Sequence, residues 1–357
     1  MTLKEAFEYG VEKLQESGIT EAQQDSFYLL EHVTGISRGK YYVNPHHEMS
    51  EEEKEEYFAL LHKRLERIPL QHLMGTTEFM GLPFKVNSQV LIPRQETEIL
   101  VEVALEVIKG YDKKQEEDES LKTTGGYEEK ARRSHGDDER EELLILDMCT
   151  GSGCILISTL YHGSKHYPKM RGVGVDISKE ALDITKENAL LNGLSVAEEN
   201  ILWNGLSRGE DNAPGNNLNV AKITLLESDL FQQLEKAKKE DTKVCKIGYN
   251  KKYHKKYDMI LSNPPYVPSK EIESLEEEVK HHDPILALDG GVDGLYFYQQ
   301  ITKDCRKFLK KEGTLIFECG WNQGVEVSKI MKDHGFTNVK IIKDLSGRDR
   351  VIVGNYG

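Results

Sequence analysis

The sequence predicts a mostly parallel, doubly wound α/β sheet of seven strands that ends in an antiparallel hairpin, preceded by a small helical domain. Three observations predict it. From Leu143 onward, short apolar runs alternate with stretches of helical period. The last two runs, 339–342 and 350–353, have no helix between them, so one strand must enter antiparallel to the rest. The first seventy or so residues carry helical spacing and no strand run at all.

In order, Leu3, Ala6, Phe7, Val11 and Leu14 form one apolar stripe that stops at Gly18. Thr20 with Gln23 makes a capping-box pattern ahead of Ala22, Leu29, Leu30 and Val33, ending at Gly35. Ser50 with Glu53 repeats that pattern ahead of Tyr57, Leu60, Leu61, Leu65 and Ile68, and Pro69 ends the run. Residues 78–86 read as two short strands around a turn, and a helix follows from Gln95 through Leu100, Val103, Ala104, Val107 and Ile108. Strands are expected at 143–146, 172–175, 223–226, 258–261, 314–317, 339–342 and 350–353, with helices at 155–160, 179–191, 296–309 and 325–334. The expected domains are a helical bundle over 1–75, a β-hairpin connector over 76–93 and a catalytic α/β domain over 94–357. Polar insertions near 111–142, 204–220 and 236–256 interrupt the last, and the first of them buries too little apolar surface to order itself.

Composition narrows the function. At 357 residues, 38% hydrophobic and 30% charged, the chain reads as an ordinary globular protein. A net charge of −14 argues against broad sheathing of a polyanion, since neutralising phosphates needs surplus Lys and Arg, and leaves a local basic groove open; no direct nucleic-acid partner is expected. The five cysteines include no C-x-x-C pair, and an odd number suits free thiols in a reducing compartment. Acids at the N-terminus are unlike a secretory signal, and no apolar run reaches membrane length, so a cytoplasmic protein without membrane partners is expected. His281, His282 and Asp283 form a tight histidine cluster, with no further ligands identifiable, so no metal site is expected.

The chemistry is concentrated at strand ends. Asp147, Met148, Cys149, Thr150, Gly151, Ser152 and Gly153 occupy the first strand-to-helix turn, where two glycines let backbone approach a ligand closely. Asp176 closes the next strand, a position suited to ribose hydroxyls or to capping the following helix. Asp229 ends the third strand and suits either an adenine amino group or another cap. The fourth strand ends in Asn263, Pro264, Pro265 and Tyr266. Two prolines fix two φ angles, so this loop is rigid without hydrogen bonds of its own. The Asn263 side-chain carbonyl and the Pro264 backbone carbonyl then offer two acceptors to one planar NH2 group, with the Tyr266 ring as a flat face beside them. Together these features point to transfer onto an amide or amino nitrogen from a cofactor bearing adenosine.

The run Leu91, Ile92, Pro93, Arg94, Gln95, Glu96, Thr97, Glu98, followed by 147–153, Val175-Asp176, Ser228-Asp229-Leu230-Phe231 and Asn263-Pro264-Pro265-Tyr266, resembles the PrmC/HemK family. Collinear matches continue through 282–294, 318–321 and 344–353. That resemblance implies a Rossmann-like class I methyltransferase fold and S-adenosyl-L-methionine as methyl donor. It further implies transfer to the N5 of the Gln in the Gly-Gly-Gln motif of class I peptide chain release factors. The family's cofactor contacts would fall on Cys149, Thr150, Gly151, Ser152, Gly153, Asp176, Leu230 and Asn263, beside Asp229 from the reading above. Its substrate contacts would fall on Asn263, Pro264, Pro265 and Tyr266, with Asn263 and Pro264 as the catalytic pair and the helical domain helping to hold the release factor. Two positions depart from the family pattern. Cys149 replaces the usual Gly, which costs strain if φ there is positive, and Leu230 replaces a frequent Trp, which removes aromatic packing on adenine. The alternatives are glutamine methylation of a ribosomal protein and adenine-N6 methylation of nucleic acid, whose exocyclic amine presents the same NH2.

Overall fold

The computed structural model describes residues 1–123 (side chains to 112), 142–197, 221–236 and 256–357. Two compact units emerge, each with its own core.

The first unit comprises Met1–Thr77, Val86–Ile92 and Glu273–Pro284. Its helices are α1 (Leu3–Glu16), α2 (Ala22–Thr34), α3 (Arg38–Val43), α4 (Glu51–Leu65) and α5 (Leu70–Met74). Thr2 and Ser50 each form a complete capping box, with Glu5 and Glu53 answering back to the cap N–H. Such caps are worth about 1 kcal/mol each. The box expected at Thr20 does not form: α2 starts a residue later than that spacing requires, and its N-cap Glu21 makes no side-chain cap bond. The short helices α3 and α5 were not anticipated, because five or six residues are too few to display a period. The unit also takes in α9 (Glu277–His282), which the contiguous expectation of 1–75 leaves out. Charge explains that recruitment. The buried Arg64 guanidinium bonds Asp25 at 2.7 Å and Glu278 at 3.2 Å, and Arg67 reaches the same Glu278 oxygen at 3.1 Å. A guanidinium taken out of water requires such carboxylates, so α9 is held where Arg64 would otherwise be under-paired.

The second unit comprises Glu78–Lys85, Pro93–Ile272 and Ile285–Gly357. The hairpin strands β1 (Thr76–Phe79) and β2 (Leu82–Lys85) are joined through Met80 and Gly81, both at positive φ as a tight twisted turn requires. A short 3₁₀ turn then leads into α6 (Glu98–Thr123), which runs well past the expected end at Ile108. The Lys, Gln and Glu that made residues beyond 110 look loop-like are also strong helix formers, which lets the backbone carry on. The rest of that expected insertion, and nearly all of those near 204–220 and 236–256, lies outside the described residues.

Eight strands build the main sheet in the order β5-β6-β4-β3-β7-β8-β10-β9: β3 (Leu143–Met148), β4 (Met170–Asp176), β5 (Ser195–Ala197), β6 (Lys222–Glu227), β7 (Tyr257–Ser262), β8 (Leu309–Glu318), β9 (Phe336–Lys343) and β10 (Asp349–Tyr356). The seven expected strands are all present, and the three-residue β5 is added at the edge beside β6. All pairings are parallel except those of β10, which runs antiparallel to both β8 and β9 as the missing helix demanded. Helices α7 (Cys154–Gly163), α8 (Lys179–Leu191), α10 (Ile285–Leu288), α11 (Tyr296–Cys305) and α12 (Gly324–Asp333) also belong to the unit. Two apolar clusters, one containing Ile145, Leu156 and Leu261 and the other Leu146, Ile260 and Phe317, sandwich the sheet, because alternate residues of buried strands face opposite sides. Among the described residues no helix is long and apolar enough to cross a membrane.

Candidate active site

Strand order places the site. From β3 the chain winds outward through β4 to β6 on one side, and from β7 to β8 on the other, so β3 and β7 are neighbours at the point where winding reverses. Open α/β sheets bind ligands in the crevice at such a point, beyond the carboxyl ends of the strands. The register brings the predicted residues there together: Met148 pairs with both Val175 and Ser262, Asp176 with Glu227, and Ser262 with Phe317.

The turn after β3 is held from below. Asp147 is fully buried; its Oδ2 accepts from Thr150 Oγ1 at 2.6 Å, and its Oδ1 has no hydrogen-bond partner among the described residues. Burial pushes this carboxyl up to about 7, with the nearby Asp176 adding to the rise and the Thr150 hydroxyl opposing it. Cys149 adopts φ 63°, so the strain conditional on positive φ is present. Burial, with the Asp176 and Asp147 carboxylates beside it, holds the Cys149 thiol well above its ordinary pKa. Gly151 lies at φ 55° with open space where a Cβ would be, and its N–H donates to Asp176 Oδ2 at 2.9 Å. Gly153 lies at φ 79°, and a Cβ there would come within 2.6 Å of Thr185 Cγ2.

Asp176 is not the cap of α8. Ser178 is, accepting from Ala181 N at 3.1 Å, while Asp176 Oδ1 accepts from Ser178 N at 3.0 Å. Burial raises the Asp176 carboxyl despite the N–H donors from Ser178 and Gly151. Asp229 is exposed, and its Oδ2 accepts from Gln232 Nε2 at 2.6 Å. Leu230 sits beside it at φ 46°, so the second departure from the family pattern, like Cys149, lies in the left-handed region.

Sequence reasoning missed what grips this turn. Thr185 and Asn188, both fully buried on α8, donate to the carbonyls of Gly151 (2.7 Å) and Ser152 (2.9 Å). Asn188 also pairs with both backbone groups of Lys85 in β2. The available signal was a pair of polar residues three apart on the apolar face of an amphipathic helix.

The acceptor loop leaves β7 on the other side of the crevice. Ser262 Oγ donates to Met148 O at 2.7 Å and ties the two strand ends together. Pro264 and Pro265 are buried, while Asn263 and Tyr266 are half-buried. Among the described residues neither the Asn263 side-chain amide nor the Pro264 carbonyl has a hydrogen-bond partner. Burial pushes the Tyr266 phenol up to about 12, with Glu318 reinforcing the rise and Arg94 and Arg350 opposing it. Glu318 ends β8, buried, with Oε2 unpartnered and its carboxyl raised by burial against the pull of Thr97, Arg350 and Arg94. The Arg94-to-Thr97 part of the sequence motif thus belongs to the electrostatic setting behind Tyr266, a role that sequence did not reveal. Cys149, Leu230 and Tyr266 all pack against one apolar cluster, which underlies both sides of the crevice.

The mostly parallel, doubly wound sheet with its antiparallel final strand has the Rossmann-like class I methyltransferase fold, with the glycine turn and two strand-end carboxylates at its switch point. Comparison with known proteins specifies which kind. A family model described as the PrmC N-terminal domain matches residues 5–75, and one described as Eco57I restriction-modification methylase matches residues 172–332. The release factor glutamine methyltransferase of Clostridium botulinum is 34% identical over 352 residues, covering 99% of this chain and 98% of the relative. That of Fusobacterium nucleatum is 32% identical over 348 residues, covering 97% and 77% respectively. A solved release factor-specific protein-(glutamine-N5) methyltransferase from Alicyclobacillus acidocaldarius is 22% identical, with a TM-score of 0.31 over 76% of this chain and 99% of that one. The chain belongs to the release factor glutamine methyltransferase family.

Proposed function

We propose that the chain transfers the methyl group of S-adenosylmethionine to the side-chain amide nitrogen of the glutamine in the Gly-Gly-Gln motif of class I release factors. One observation carries this: Asn263 Oδ1 and the Pro264 carbonyl, two acceptors without donors among the described residues, follow β7 directly beside the strand that leads into the open glycine turn. The turn fits the cofactor. The space beside Gly151 is free, Asp147 Oδ1 is a buried acceptor without a donor, and Asp176 presents a carboxylate at the next strand end. Cys149, Thr150, Gly151, Ser152, Gly153, Asp176, Asp229, Leu230 and Asn263 are the residues that would hold it. When bound, S-adenosylmethionine supplies an electrophilic methyl group on a sulfonium.

An amide nitrogen is a weak nucleophile because its lone pair is delocalised into the carbonyl. Asn263 and the Pro264 carbonyl each accept one N–H of the glutamine amide, which fixes the orientation of the nitrogen. They also stabilise the positive charge that gathers on it during transfer, because both are preorganised dipoles in a partly dry site. Pro265 keeps the loop's φ fixed, and the Tyr266 ring covers the planar amide. Positioning of this kind supplies on the order of 7–11 kcal/mol toward a barrier.

A second reading, methylation of adenine N6, draws on the match of residues 172–332 to a restriction-modification methylase, a span that includes the acceptor loop. Transfer of labelled methyl to purified release factor, ribosomal protein and DNA in parallel separates the readings. The expected label is on the release factor alone and disappears when its Gly-Gly-Gln glutamine is replaced; label on DNA alone overturns the proposal.

A further inference from the structure

The acceptor loop is anchored at both ends, and only the upstream anchor lies in the sheet. Upstream, β7 pairing and the Ser262 hydroxyl hold it. The two prolines fix their own φ angles but leave the ψ of Pro265 and both torsions of Tyr266 free. Downstream, one buried side chain takes up that freedom. Gln323, in the turn before α12, donates from Nε2 to the Tyr266 carbonyl at 2.9 Å and to the Gly294 carbonyl at 3.3 Å. Its Oε1 accepts from Gly320 N at 3.1 Å. Both N–H groups and the carbonyl of the amide are therefore engaged. The reversed amide would set oxygen against two carbonyls and NH2 against an N–H, so the network admits one orientation.

Three chain segments meet at this amide, and glycines allow it. A Cβ at Gly290 would come within 2.7 Å of Tyr266 Cα. One at Gly294 would strike the Tyr266 carbonyl oxygen, and one at Gly320 would come within 2.8 Å of Gln323 Oε1. Val267 N–H then donates to Leu288 O at 2.9 Å, continuing the anchor one residue downstream.

We propose that Gln323 is a positioning residue of the acceptor loop, holding Tyr266 through its carbonyl so that Asn263 Oδ1 and the Pro264 carbonyl stay aligned on one NH2 group. It rests on the reading of those two groups as the substrate's acceptors. Gln323 touches no reacting atom; it acts through Tyr266.

Two variants test it in the full-length protein. Gln323→Leu removes donor and acceptor, whereas Gln323→Glu keeps the acceptor for Gly320 N–H and places a carboxylate oxygen against two carbonyls. Hydrogen exchange at Val267 should quicken in both, with exchange over residues 149–153 unchanged. Release-factor methylation should lose on the order of 10- to 100-fold in kcat per cofactor-binding molecule, with KM for S-adenosylmethionine within about twofold of wild type. The Gln323→Glu deficit should narrow as pH falls, because a protonated carboxyl regains one donor for the Tyr266 carbonyl, while the Gln323→Leu deficit stays constant. Unchanged Val267 exchange, or a kcat loss that vanishes once the cofactor-binding fraction is counted, overturns the proposal. Wild-type protein inactive on release factor refutes the functional reading instead, and the exchange result still decides the role of Gln323.

Discussion

The two sides of the crevice reach rigidity by opposite means. The turn after β3 is held in unfavourable conformations: Cys149 and, nearby, Leu230 are non-glycine residues at positive φ, and Asp147 is a buried carboxylate with one oxygen unpartnered. The loop after β7 carries no positive-φ residue; prolines set its torsions, and Gln323 closes its far end. Strain on the first side must be over-determined by neighbours, here Thr185 and Asn188. On the second side the local sequence does most of the work. The difference teaches that a turn built on left-handed non-glycine residues stores free energy that its neighbours must offset, whereas a proline-set loop does not.

Asp147→Asn probes the stored electrostatic part and should have the largest effect on stability. The carboxyl is raised from 3.8 to about 7, so its stabilising contribution is complete below pH 3.8 and is lost as pH rises through 7. Wild type should therefore fall behind the variant progressively between about pH 4 and pH 8, by as much as about 4 kcal/mol at the alkaline end. Thermal melts across that range check it, and a gap independent of pH would show that the burial cost is not expressed.

Asn263→Ala probes the other side. With one acceptor of the NH2 group gone, kcat should drop on the order of 10²–10³-fold while the dissociation constant for S-adenosylmethionine barely moves. Single-turnover transfer alongside cofactor titration measures both, and wild-type turnover would sink the acceptor assignment. Pro265→Ala releases a φ angle without removing an acceptor. It should cost about 0.5–1 kcal/mol of stability, read from the urea midpoint, and lower kcat more than it raises KM for the cofactor. A stability change as small as that of Pro265→Ala, and opposite to it in sign, is expected at Cys149→Gly. Relief of a left-handed strain of about 1–2 kcal/mol, less the added freedom of glycine in the unfolded chain, should leave a net gain of about 0.5–1 kcal/mol. A loss of stability there would mean that the thiol's packing against the apolar cluster outweighs its strain.

Legibility follows the same divide. Asn263, Pro264, Pro265 and Tyr266 could be read directly, because prolines declare their torsions and the strand before them declares its end. Cys149 could be read only conditionally, since a cysteine does not announce its φ; the backbone at 63° supplied the answer. Asp176 carried two readings, and the structure removed one by giving the cap to Ser178. Thr185, Asn188 and Gln323 were silent, since an amide or hydroxyl among apolar residues gives no hint of the distant carbonyl it will meet. Helix α6 outruns its expected end because polarity signals loop and helix alike where Lys and Glu also propagate helix.

What the sequence determined by itself was everything periodic or stiff: the alternation of strands and helices, the antiparallel ending, and the glycine and proline turns at strand ends. These are local properties, set by side-chain spacing and by torsions fixed within a residue or two. The tertiary structure alone decided which carbonyls the buried amides of Asn188 and Gln323 would satisfy, and that α9 would join the helical unit through Arg64 and Glu278. Those outcomes are set by the need to pair every buried polar group with whatever the fold brings beside it, and that neighbour lies far along the chain.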